Sequence, residues 1–294
     1  MGSWIWVAPG VAQPPAQLSE ADLLIRDTDE TTATREVDPG VDAAIDHSHL
    51  IEISNAEPDH PSEIRIKVLG SVEVDPQLVM PKRSVVLELA CYLALHRRRA
   101  VTTEELQMAL SGGDGDGPET SAKSVRTYMS ELRRWLGAEH VPSARGSGYR
   151  LAQSVTSDWD QFHSLAQENS DDPYEQIGSL SAALNLVCGR PFAGTNYKWV
   201  DAELLVSEIE VAISEVARRL GAIAAEQNMA AVAWFAGRRA VLACPYDVGL
   251  WEMALEGAAG YDAAELRRTW HNAQVALGDE AGALGEVAQR LGLI

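Results

Sequence analysis

One stretch of the chain places basic and hydroxyl side chains at a spacing that brings them together. Lys123, Thr127, Ser130 and Arg134 recur at intervals of four, three and four, with Arg126 and Arg133 beside them. In a helix these positions share one face. Such a face can pair with phosphate oxygens, and its Arg, Lys, Ser and Thr side chains can also reach the edges of bases. Arg145 and Arg150 flank a second feature, Gly146-Ser147-Gly148, a tight turn in which glycine reaches positive φ without steric cost. An ordinary amphipathic helix with a solvated basic face has the same periodicity, so the surrounding elements have to separate the two readings.

Those elements have a recognisable order. Val125, Met129, Leu132 and Leu136 form an apolar stripe with intervals of four, three and four, which predicts a helix from about Thr120 to Leu136. Upstream lie strand-like runs at Ile64–Leu69 and Val72–Val74, an apolar helix from about Ser84 to His96, and a short helix from Thr103 to Leu110 capped by Thr102 or Thr103. Downstream, Val141 to Leu151 reads as a hairpin with glycines at its tip. Three helices and a terminal hairpin are the order of a winged helix-turn-helix, a module that puts its third helix in the major groove of DNA. Arg97-Arg98-Arg99 reads as a favourable helix C-terminus ahead of a DNA contact. Ser111 to Pro118 reads as a loop; it lacks the Gly-Lys-Ser/Thr ending of a phosphate loop. Geometrically it is a place where a partner such as RNA polymerase could dock.

Charge sharpens the picture. The 294-residue chain has a formal net charge of -19, unevenly spread. Met1 to His60 holds 2 Lys+Arg against 12 Asp+Glu, Pro61 to Leu151 holds 13 against 11, and the remainder 9 against 20. This excludes a protein that coats nucleic acid indiscriminately, yet a nearly neutral module with segregated charge can still bind locally. Residues 1–62 read as an acidic, largely flexible leader. His47, His49 and His60 lack ligand spacing and read as solvent-exposed histidines. Cys91, Cys188 and Cys244 read as small buried hydrophobes in a reducing, cytoplasmic setting. Neither a signal peptide nor a run long enough to span a membrane is present. No nucleophile, base and orienter fall at a recognisable spacing, so an enzyme is not expected. No cofactor, metal or small-molecule ligand is expected either.

After Leu151 the pattern turns to helix alone, with segments near Trp159–Gln167, Tyr174–Val187, Trp199–Gln227, Ala230–Ala243, Val248–Ala259, Ala263–Leu277 and Ala281–Leu291. Short links join them, as in stacked tetratricopeptide-like hairpins. Trp159, Phe162, Trp199, Trp234, Trp251 and Trp270 read as anchors between helices. The expected fold is mainly α: a small α+β winged helix-turn-helix over 63–152, followed by an all-α helical repeat domain over 153–294.

Ile66-Lys67-Val68-Leu69-Gly70, Leu87 to His96, Val125 to Gly137 and Gly148-Tyr149-Arg150-Leu151 resemble the OmpR-type winged helix of actinobacterial SARP/AfsR-like regulators. Ser157 to Phe162, Ala182 to Phe192 and Leu250-Trp251 are similar to the bacterial transcriptional activator domain of that family. The resemblance implies promoter DNA as partner, recruitment of RNA polymerase, and a helical domain that packs on the winged helix and helps it dimerise. On that basis Lys123, Arg126, Thr127, Ser130 and Arg134 approach the major groove, Arg133 the DNA backbone, and Arg145 and Arg150 the wing side. The phrasing of Asp158 to Phe162 and Gly189 to Gly194 is most similar to a subgroup forming cytoplasmic tails of LysM-type membrane proteins. That likeness keeps open a protein-interaction module that binds no DNA.

Overall fold

A computed structural model of the chain describes residues 64–111, 120–143 and 148–294. The acidic leader with His47, His49 and His60, the glycine-rich loop, and Arg145 lie outside the described residues. Strand β1 (Ile64–Lys67) buries Ile64 and Ile66 and pairs antiparallel with β2 (Glu73–Asp75), Ile66 facing Val74. On its other edge β1 pairs in parallel with β3 (Val155–Ser157), Ile64 facing Val155 and Ile66 facing Ser157. Sequence reasoning expected only helix after Leu151; a three-residue run is too short for its alternation to register.

Three helices lie between these strands in the chain. α1 (Ser84–Leu95) buries Val86, Leu87 and every residue from Leu89 to Ala94. A helix apolar on so many sides belongs at the centre of a core. α2 (Thr103–Leu110) begins with a reciprocal cap. The Glu105 amide donates to Thr102 Oγ1 at 3.2 Å, and the Thr102 amide donates to the Glu105 carboxylate at 2.8 Å. α3 (Ala122–Leu136) buries the expected stripe, Val125, Met129, Leu132 and Leu136.

The helical region contains α4 (Asp158–Gln167), α5 (Pro173–Asn185), α6 (Lys198–Ala202), α7 (Leu205–Glu226), α8 (Ala230–Ala243), α9 (Val248–Tyr261), α10 (Ala263–Leu277), a 3-10 turn (Gly278–Leu284) and α11 (Gly285–Arg290). Consecutive helices from α7 to α10 pack against one another, giving an extended all-α repeat array. α8 and α9 come closest. A Cβ added to Gly257 would lie 2.3 Å from the Trp234 backbone nitrogen, and one added to Gly237 would lie 2.7 Å from that of Ala254. The helix expected over Trp199–Gln227 is two helices, because Leu204 turns left-handed at φ 56°. Trp159, Phe162, Trp199 and Trp251 are buried anchors, while Trp234 and Trp270 are half-buried. Cys91 and Cys244 are buried, but Cys188 is exposed, in the turn after α5.

The helical region grips the winged helix through backbone. The Asp158 carboxylate accepts the amides of Val68 and Leu69. From the other side Cys188 and Gly189 donate to the Leu69 carbonyl, Phe192 to that of Val68, and Ala193 to that of Gly70. Side chains reinforce the contact: His96 Nε2 lies 3.2 Å from the Glu203 carboxylate, Arg97 lies 3.5 Å from Asp160, and Tyr92 meets Trp199 edge to face. Burial pushes the Glu88 carboxyl, on α1 at this contact, up to about 7.

Candidate nucleic-acid interface

α3 is set in place from both ends. Its first turn is capped by Ser121, whose Oγ accepts the Ser124 amide at 3.1 Å. Thr120, buried just before the cap, donates Oγ1–H to the Leu110 carbonyl at 3.2 Å and accepts Gln107 Nε2 on its own carbonyl at 2.8 Å. Both contacts tie the start of α3 to α2 and so fix the angle of the helix-turn-helix. At the far end the Trp135 indole N–H donates to the Val79 carbonyl at 2.8 Å. Arg83, in the same segment as Val79, pairs with Glu131 at 3.4 Å and sits over the Tyr128 ring.

With its apolar stripe in the core, α3 turns the opposite face outward. Lys123, Arg126, Thr127, Ser130 and Arg134 are all exposed. Among the described residues, Lys123, Arg126, Arg134 and Arg150 are paired with no carboxylate. Thr127 donates its hydroxyl back to the Lys123 carbonyl at 3.1 Å, which leaves the oxygen's acceptor capacity outward. The only acid within the helix, Glu131, lies at the edge of this face and is neutralised by Arg83. The face therefore combines three cations with two hydroxyls, a set suited to phosphate and base-edge contacts.

Arg133 is placed differently from the others. It is half-buried, its Nε donating to the Val141 carbonyl at 2.8 Å and an Nη to the Pro142 carbonyl at 3.0 Å. Its guanidinium is turned to the segment that follows α3. Tyr149 pairs with the segment between α1 and α2: Val101 and Tyr149 exchange backbone hydrogen bonds at 2.8 and 2.7 Å. Gly148 makes this approach possible, with φ 103° and no Cβ to meet the Val101 carbonyl. Arg150 follows on the exposed surface. Of the three arginines that follow α1, Arg97 pairs with Asp160 and Arg99 with Glu105 at 2.6 Å, and none stands in the last turn of the helix, which ends at Leu95.

Sequence reasoning missed Gln107, Thr120, Trp135 and Arg83, because each acts through a partner distant in sequence. Trp135 alone carried a signal, an indole placed between the apolar and polar faces whose N–H needs an acceptor. No cluster of three or more His, Cys, Asp or Glu side chains that could hold a metal ion occurs among the described residues. No described helix is long and apolar enough to cross a membrane.

Comparison with known proteins bears on this geometry. No curated protein matches the chain. A solved structure of Mycobacterium tuberculosis EmbR in complex with a low-affinity phosphopeptide shares 20% identity at a TM-score of 0.49, over 78% of this chain and 65% of that one. The chain thus spans less than two thirds of that protein's length. Residues 83–151 match the family described as transcriptional regulatory protein, C terminal. That stretch runs from the residue before α1 to Leu151, and the match marks it as a DNA-binding regulatory domain of winged-helix type.

Proposed function

We propose that the chain is a promoter-binding transcriptional regulator of the SARP/AfsR-like type, acting as an activator. Residues 63–152 are the reading head on this view, and residues 153–294 correspond to a bacterial transcriptional activator domain. α3 lies in the major groove, with Lys123, Arg126, Thr127, Ser130 and Arg134 toward DNA and Arg150, with Arg145, on the wing side. The observation that carries the reading is the exposed face of α3, whose cations are free of acidic partners among the described residues while its one acid is paired away. On this reading the chain acts in the cytoplasm, recruits RNA polymerase as its partner, and reads paired half-sites about one helical turn apart as a homodimer.

The test is fluorescence anisotropy of the whole chain against promoter fragments, with a salt titration and a random-DNA control. Selective binding that weakens with salt is expected, and its slope counts phosphate contacts. A folded chain that binds nothing at low salt would overturn the reading. It would favour a protein-interaction module instead, for which the helical region offers the exposed Val211, Leu242 and Tyr246.

A further inference from the structure

We propose that Arg133 is a positioning residue that fixes the Val141–Pro142 segment against the reading helix, and that it makes no contact with phosphate. This rests on the DNA-binding reading above and assigns one of its arginines a different task. The guanidinium offers its Nε–H to Val141 and an Nη–H to Pro142, two successive carbonyls, at 2.8 and 3.0 Å. Val141 is fully buried, so without Arg133 its carbonyl is left in the core lacking that donor. The planar fork of arginine meets two acceptors with fixed geometry; a lysine ammonium keeps the charge but lacks the fork.

The location gives the clamp its consequence. Residues 141 and 142 follow His140, whose carbonyl accepts the Ala152 amide at 2.8 Å, and Tyr149 pairs with Val101. Residues 141 and 142 are thus tied to α3 by Arg133, and Tyr149 to the segment before α2 by backbone. Arg126, about two turns earlier at a spacing of seven, stays exposed at the same edge of the helix. Two neighbouring arginines are therefore divided between binding and alignment. On the DNA-binding reading, the placement of residues 141–143 and 148–152 beside α3 sets whether this region and the helix meet DNA in register, so Arg133 affects recognition without touching DNA.

The experiment compares R133K and R133A with the parent, using the whole chain. Hydrogen exchange at the Val141, Tyr149 and Ala152 amides, measured without DNA, should accelerate in both variants. DNA affinity should fall by about tenfold in both, roughly the loss expected for two hydrogen bonds, while the salt slope stays at the parent value. Retained affinity in R133K, or a slope reduced by about one in R133A, would show a phosphate contact and overturn the proposal. Unchanged exchange in R133K would overturn it also. A parent chain that binds no DNA would sink the DNA-binding reading instead, and the exchange arm would still decide the clamp.

Discussion

The carboxylate of Asp158 accepts the Val68 amide through both oxygens, at 2.8 and 3.0 Å, and the Leu69 amide at 3.0 Å. A side chain at the start of α4 thus does the work of a strand where β1 ends. Burial pushes this carboxyl up to about 6, against the opposing pull of the two amides. Replacing it by alanine leaves both amides without an acceptor in a buried place. D158A is expected to cost about 3 kcal/mol, and D158N less, as a drop in the urea midpoint with an unchanged denaturant slope.

Glu88 gives the chain a pH signature. Its carboxyl rises from an ordinary 4.5 to about 7, with burial as the main cause. The folded state holds this proton more tightly than the unfolded one, so the stability it contributes is full below about 4.5 and is lost as pH rises through about 7. E88Q should therefore flatten stability between those values and leave the variant roughly 1–2 kcal/mol more stable than the parent at pH 8, a figure discounted for partial solvation. Urea titrations of both chains at pH 5 and pH 8 measure it. Equal slopes against pH would show that Glu88 is ionised throughout.

The exposed face of α3 can be tested through its charges. R126A/R134A should release about two fewer ions on binding and weaken it about a hundredfold at moderate salt, with the thermal midpoint close to that of the parent. The measurement is the anisotropy salt slope.

Two glycines should respond in opposite directions to alanine. At Gly257 the new methyl meets Trp234 backbone, so G257A should destabilise by about 1–3 kcal/mol as α8 and α9 are forced apart. At Gly178, within α5, an added Cβ meets nothing within 4 Å. G178A should stabilise by up to about 1 kcal/mol through helix propensity alone. Calorimetry of the pair separates packing from propensity.

What could be read in advance was what local spacing encodes. The buried stripe of α3 and the Thr102–Glu105 cap are both patterns within a few residues, and both occur as expected. The exposed residues Lys123, Arg126, Thr127, Ser130 and Arg134 follow from the same periodicity. Arg133 shows the limit: its place on the helix gave its neighbourhood, but the carbonyls it meets belong to residues brought back by the turn after α3. The break at Leu204 had no Gly or Pro to announce it. It coincides with Glu203 reaching His96 on α1, a tertiary contact that local propensity cannot register. β3 was hidden for a similar reason, since Val155-Thr156-Ser157 becomes a strand only beside β1.

The peptide from Val68 to Gly70 is held along both edges by the helical region, its amides by Asp158 and its carbonyls by the 188–193 turn. In mechanical terms this is a welded joint. A load applied to α4 or to that turn is passed to β1 as displacement, and from β1 to α1, instead of being absorbed by a swivel. A displacement of the helical region at this joint is therefore expected to carry β1 with it.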